Sequence, residues 1–368
     1  MPPIHLLIKP ASGSCNMRCR YCFYTDEMSR RETASYGRMS LEVLEAVVRR
    51  ALEYAEGSVT FAFQGGEPTL IGLDYYRRLV ELCRQYNTKK LRIDLALQTN
   101  GLLIDEEWAE FLAKNRFLVG LSLDGPAEIH DANRVDAAGK GTHARVMAAA
   151  RLMSRYGVEF NILTVVTSQT ARSGRKVWSF FDKNGFTWRQ CIPCLDPLDG
   201  AAAPWTLTAD RYADFLKTTF DAWYAGFAAG KPVSERSFDN WVGMLAGRPP
   251  ESCGMGGVCS RQYVLEADGS VYPCDFYVLD ELRLGNLAQD SFETIEKKRE
   301  ELGFIAASQH IREECRSCRW GYLCRGGCRR HREPFADGLP GLNRFCEAYK
   351  QFFPYAIERM QRLAARLR

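Results

Sequence analysis

Residues 5–22 read "HLLIKPASGSCNMRCRYC". A short β-prone run, His5 to Ile8, gives way to a polar exit, and Cys15, Cys19 and Cys22 then fall within eight residues, with no further cysteine until Cys83. The same succession of apolar run and polar exit continues down the chain. Strands are predicted over 5–8, 58–63 ("SVTFAF"), 91–97 ("LRIDLAL"), 117–123 ("FLVGLSL"), 159–166 ("EFNILTVV") and 187–192 ("TWRQCI"), with helices near 40–55, 73–87, 105–114, 142–156 and 174–184. Ser40 and Thr142 stand where helix N-caps are expected, Asp105 brings negative charge to a helix start, and Gly157 and Gly185 follow helices where a left-handed residue belongs. Strands alternating with helices imply parallel βαβ units, and nearly continuous apolar strands suit a covered sheet. Six units are too few for a closed eightfold barrel, so the expected fold is α/β, a partial (β/α)6 TIM-like barrel. Ligands gather at the C-terminal strand ends of such folds, where "KPASGSCN", "QGGEP", "QTNG" and "DGP" lie.

The 368 residues are enough for one large domain and a smaller one. With 46% hydrophobic and 26% charged residues the composition is that of a soluble enzyme, and a net charge of +4 is too small to argue for a nucleic-acid partner. The opening apolar run is too short for a signal peptide or a membrane span, so a cytoplasmic protein without a membrane partner is expected. Fourteen cysteines in such a chain point to metal or redox chemistry rather than disulfides. Residues 1–235 are read as the barrel domain. A second domain, 236–348, carries cysteines at 253, 259, 274, 315, 318, 324, 328 and 346 and a hairpin signal, "VLEADGSVYPC"; a basic helix is expected over 349–368.

Structural zinc closes its shell with four ligands, and no histidine stands close in sequence to the first three cysteines. An iron–sulfur cube held by three cysteines keeps one iron open, which makes a reaction site. The C-x3-C-x2-C loop, with Tyr21 before its last cysteine, resembles the signature of the radical S-adenosylmethionine superfamily. The resemblance implies a 4Fe–4S cluster on Cys15, Cys19 and Cys22, with S-adenosylmethionine on the open iron and Tyr21 beside it. "QGGEP" looks like that superfamily's GGEP motif, which implies that Gly65, Gly66 and Glu67 bind the methionine amino group. By the same resemblance Ser122 and Arg134 hold ribose and carboxylate, and Leu195 contacts adenine. The glycine-containing adenine motif of many relatives is absent from "FNILTVVTSQTAR".

The eight distal cysteines make two complete sets of four, although C-x2-C pairs serve zinc ribbons as well as clusters. In two-cluster ferredoxins the last cysteine of a tight run serves the other cluster, and that logic sends Cys328 to join Cys253, Cys259 and Cys274, leaving Cys315, Cys318, Cys324 and Cys346 as the second set. The pattern resembles the SPASM domain, a C-terminal iron–sulfur extension of radical enzymes that modify peptides, and brings the implied total to three 4Fe–4S clusters. Cys83 reads as core; Cys191 and Cys194 sit at the sixth strand exit without an assigned role.

Asp275 directly follows Cys274. A carboxylate beside a cluster ligand is placed to act as a base, but from the sequence alone a cap or an ion-pair partner is the stronger reading. "LLIKPASGSCN", "FAFQGGEPTL", "LQTNGLLIDE", "FLVGLSLDGP", "VEFNIL", "CLDPL", "SCGM" and "DGSVYPCDFYVLD" together resemble the anaerobic sulfatase-maturating enzymes. That resemblance implies oxidation of a Cys or Ser in an unfolded sulfatase segment, C/S-x-P/A-x-R, to Cα-formylglycine, with Asp275 as the base. It further implies electron exit through the auxiliary cluster on Cys274, a flavodoxin or ferredoxin as donor, and a monomeric chain. Tyr24, Gln64 and Gln98 are candidates for orienting the peptide. The rival reading is another SPASM enzyme that crosslinks or epimerises a ribosomal peptide; the barrel signals begin within the first ten residues, where such enzymes often carry a leader-binding domain.

Overall fold

Strand β1 (Ile4–Ile8) buries Ile4, Leu6 and Ile8, the alternation its sequence requires, and stops at Lys9-Pro10. The computed structural model describes residues 3–333, 335 and 339–367; residues 1, 2, 334, 336–338 and 368 of the expected domain ranges lie outside the described residues. By contact the chain divides into two units. The first comprises residues 1–122, 134–160 and 261–303, the second 123–133, 161–260 and 304–368.

In the first unit β2 (Ser58–Phe63), β3 (Arg92–Thr99) and β4 (Leu118–Ser122) follow β1 as parallel neighbours, with Ile4 opposite Val59 and Ala96 opposite Leu118. On the other side of β1 stand β8 (Tyr263–Leu265), β9 (Ser270–Tyr272) and β10 (Gly285–Asn286), giving the order β10-β9-β8-β1-β2-β3-β4. Strand β8 runs parallel to β1, with Leu6 opposite Tyr263, so the hairpin from the cysteine-rich half lies beside the first barrel strand. That hairpin turns at Asp268-Gly269, where φ of +88° requires glycine. The helices Leu41–Tyr54, Leu73–Tyr86, Glu106–Lys114 and His143–Arg155 fall where the apolar period places them. Ser40 and Asp105 accept hydrogen bonds from Val43 N and Trp108 N as N-caps.

Thr142 is a correction. Its side chain does not cap the helix at His143; the hydroxyl is buried and donates to the Arg134 carbonyl at 2.9 Å. It braces the loop that carries Arg134. Helices Phe23–Ser29 and Phe292–Leu302 occur where none was predicted.

The second unit contains β5 (Phe160–Val166), β6 (Trp188–Pro193) and β7 (Ser234–Glu235), parallel in that order. Its core is aromatic. Phe220 and Trp223 from the helix Ala209–Ala228, Phe238 and Trp241 from Arg236–Leu245, and Phe352 and Phe353 from Cys346–Ala364 are all nearly solvent-free, with Trp241 and Phe352 ring centres 5.2 Å apart.

Candidate active site and metal centres

The cluster loop is shaped by hydrogen bonds within the first unit. Ser12 takes a left-handed φ of +49°, Arg18 N donates to Val135 O at 2.7 Å, and Cys22 N donates to Cys19 O at 3.2 Å. Met17 N lies 3.4 Å from the Cys15 sulfur and Asn100 Nδ2 3.8 Å from it, so two N–H groups point at that atom. Burial pushes the Cys15 thiol up to about 12, with Cys19 and Cys22 among its charged neighbours. A thiolate there needs a metal to hold it, and three half-buried thiols on one loop with donors aimed at sulfur fit an iron–sulfur cube.

The second strand exit packs on that loop. Gly66 N donates to Ser12 O at 2.9 Å and Glu67 N to Ser14 O at 2.8 Å. A Cβ at Gly66 would lie 2.1 Å from Ser14 O, so the close approach that the glycine permits is to the cluster loop's own backbone. The Glu67 carboxylate, 1% exposed, accepts from Thr69 N, Thr69 Oγ1, Thr99 Oγ1 and Asn100 N, and thereby ties the β2 exit to the β3 exit. Burial raises its pKa against the pull of those hydrogen bonds.

Ser122, at the end of β4, accepts from Gln98 Nε2 at 3.2 Å; Gly120 leaves the room that Gln98 occupies. Arg134 and Tyr21 are both buried, with the guanidinium 5.4 Å from the ring centre. These residues belong to the first unit, as do Cys274 and Asp275; Leu195 belongs to the second.

Asp275 sits in a buried polar knot. Its Oδ2 accepts from Tyr24 Oη at 2.7 Å and Gln64 Nε2 at 2.9 Å, and Gln64 Nε2 also reaches Tyr24 Oη at 2.7 Å. Lys9 Nζ is 3.1 Å from Asp275 Oδ1, an ion-pair contact without hydrogen-bond geometry, and Oδ1 has no hydrogen bond among the described residues. Lys9 also lies 3.7 Å from Glu27 Oε2 and 4.3 Å from the Tyr24 ring centre. Burial works against the Lys9 charge, but Asp275, Glu27 and Glu266 offset it, so its pKa is above ordinary. Burial lifts Glu27 to about 8 against the pull of Lys9. Tyr24 is pushed well up, first by burial and then by Asp275, which keeps it a donor. Sequence reasoning missed Lys9 and Glu27; the available signal was Lys9 at the first strand exit, where site residues collect.

In the second unit seven of the eight distal thiols fall into two groups of electrostatic neighbours, while Cys274 belongs to the first unit. Burial raises Cys328 to about 12 with Cys253 and Cys259 adding to it, and a Cβ at Gly254 would lie 3.4 Å from Cys328 Cβ. Cys324, likewise raised to about 12 by burial, has Cys346, Cys315 and Cys318 as charged neighbours. Among the described residues no three His, Cys, Asp or Glu side chains converge as ligands of one ion do. Two sets of thiols that are one another's electrostatic neighbours are the donor chemistry an iron–sulfur cluster takes.

Comparison with known proteins agrees with this chemistry. The Radical SAM superfamily matches residues 10–174, and SPASM, an iron–sulfur cluster-binding domain, matches residues 253–319. A cysteine-type anaerobic sulfatase-maturating enzyme of Clostridium perfringens is 50% identical over 366 residues, 99% of each chain. A serine-type counterpart of Bacteroides thetaiotaomicron is 30% identical over 97% of this chain and 90% of its own. A solved structure, native anSMEcpe with bound AdoMet and Cp18Cys peptide, superposes with a TM-score of 0.95 at 49% identity and covers both chains completely.

The fold and site therefore define a radical S-adenosylmethionine oxidoreductase, an α/β partial barrel with a C-terminal SPASM domain, using 4Fe–4S clusters and S-adenosylmethionine. Within that class, the chain belongs to the anaerobic sulfatase-maturating enzymes.

Proposed function

We propose that this chain oxidises a cysteine in a sulfatase polypeptide to Cα-formylglycine, with Asp275 as the base. Cysteine is favoured over serine because the cysteine-type relatives are 45–50% identical to this chain, against 29–30% for the serine-type ones. The observation that carries the role of Asp275 is its hydrogen bonding. Tyr24 and Gln64 both donate to Oδ2, which fixes the carboxylate; Oδ1, ion-paired with Lys9 at 3.1 Å but without a hydrogen bond among the described residues, is the oxygen that would accept the substrate thiol proton.

S-adenosylmethionine and the cluster that Cys15, Cys19 and Cys22 would hold would supply the radical chemistry that removes a hydrogen atom from the substrate Cβ; with the thiol proton taken by Asp275 and the remaining electron passed to the auxiliary cluster on Cys274, the thioaldehyde left would be hydrolysed by water to the aldehyde with release of hydrogen sulfide. The protein's own part is to place and to deprotonate. Gly65 and Gly66 set the backbone that receives the methionine amino group, Glu67 braces it, Arg134 over Tyr21 holds the carboxylate, Ser122 the ribose, and Leu195 the adenine. Cys253, Cys259, Cys274 and Cys328 are assigned to one auxiliary cluster, and Cys315, Cys318, Cys324 and Cys346 to the other. Gln98, held by Ser122, orients the peptide. A flavodoxin or ferredoxin as donor, a monomeric chain and a cytoplasmic location complete the reading.

The test is to incubate the reduced enzyme and S-adenosylmethionine with C-x-P-x-R and S-x-P-x-R peptides. Oxidation to the aldehyde lowers the mass by about 18 for Cys and about 2 for Ser. The cysteine peptide should react faster. Cofactor cleavage with neither peptide changed would remove the sulfatase reading and favour the crosslinking or epimerising rival. Asp275→Asn should abolish product while sparing cofactor cleavage.

A further inference from the structure

Arg332 is 3% exposed in the second unit. Its Nη2 donates to Ser308 O at 2.9 Å and to His310 O at 3.2 Å, and its Nε, also buried, has no hydrogen-bond partner. Among the described residues no carboxylate pairs with it. A guanidinium is permanently charged, and a buried charge without a counter-ion is among the most expensive things a fold can carry. Something negative must belong beside it.

The groups nearby that would become anionic as cluster ligands are thiols of both distal sets. A Cβ placed on Gly326 would stand 3.1 Å from Arg332 Nη1, and Gly326 lies between Cys324 of one set and Cys328 of the other. The Ser308 that receives Arg332 through its carbonyl also accepts from Cys259 N through its hydroxyl at 2.9 Å. Burial works to lower the Arg332 pKa, and Cys259, Cys315 and Cys328 counter it, two from the first set and one from the second. Arg329 is a second cation in this neighbourhood and opposes rather than balances Arg332.

We propose that Arg332 is a shared counter-ion of the two auxiliary clusters, a positioning residue that raises both reduction potentials and so makes the pair a better electron acceptor. Net charge and hydrogen bonding around a cluster set its potential, and the reduced state, one charge more negative, gains more from a nearby cation than the oxidised state does. The inference rests on the reading that the eight distal cysteines hold two clusters, and the experiment separates the two.

The full chain carrying Cys15→Ala, Cys19→Ala and Cys22→Ala leaves only the auxiliary sites, and should retain about eight irons. A chain of that kind without iron defeats the cluster reading itself. In the loaded background, potentiometric titration followed by electron paramagnetic resonance compares Arg332→Gln and Arg332→Lys with the parent. Arg332→Gln should move both couples to more negative potential with iron content unchanged, and Arg332→Lys should restore them most of the way. If Arg332→Gln sheds iron while Arg332→Lys keeps both clusters at parental potentials, the need for a cation is supported in another form. Unchanged potentials in a fully loaded Arg332→Gln chain overturn the proposal, as does a shift in one couple only. Equal loss of iron from both variants assigns the residue to the fold and also overturns it.

Discussion

At the scale of single residues the site is a balance of buried charges. Lys9, 2% exposed, stands between Glu27 and Asp275, and removing its charge leaves two carboxyl groups facing one another away from water. Lys9→Met should therefore lower stability by about 3–5 kcal/mol and suppress product formation, checked by anaerobic thermal unfolding and by turnover at saturating peptide. Glu235 is a second buried carboxyl. Its oxygens accept from Cys191 N, Ser237 N and Phe238 N, yet burial pushes its pKa up to about 7 from 4.5. The folded state then keeps a proton that the unfolded chain has lost, so this group's stabilisation is complete below about 4.5 and declines as pH rises toward about 7. Unfolding measured from about pH 5.5 to 8 should show this decline, up to about 1.4 kcal/mol per pH unit, and Glu235→Gln should flatten it.

At the scale of elements the joint between the β2 exit and the cluster loop carries the radical site. Two backbone hydrogen bonds, Gly66 N to Ser12 O and Glu67 N to Ser14 O, set where the loop's thiols stand. Gly66→Ala would drive a methyl group to 2.1 Å from Ser14 O, backbone that cannot rotate away. The expected result is loss of the first cluster, about a third of the iron, with the auxiliary clusters retained; iron analysis and cofactor cleavage check it. The strand and helix positions around this joint were legible because apolar period and cap residues record local burial. The helix Phe23–Ser29 was not, since "FYTDEMS" has little apolar period and is fixed instead by the loop that precedes it and by Glu27, which accepts from Val278 N.

At the scale of the whole molecule the second unit rests on aromatic packing that joins residues 209–228, 236–245 and 346–364. Phe352, fully buried against Phe238 and Trp241, is the centre of that packing; Phe352→Ala should cost about 3–5 kcal/mol, read by anaerobic thermal unfolding with iron content followed in parallel. By itself the sequence determined the alternation of the six barrel strands with their main helices, the three-cysteine loop, the eight distal thiols and Asp275 beside Cys274, because all of these are matters of local spacing. Tertiary structure alone decided which groups meet. Tyr24 and Asp275 are 251 residues apart and touch because β8 pairs with β1; Lys9 and Glu27 enter the same knot, and Arg332 is left buried without a carboxylate. Hydrophobic period reports how one segment is buried, whereas the partner of a buried charge is set by the long-range packing of several segments, which no local pattern encodes.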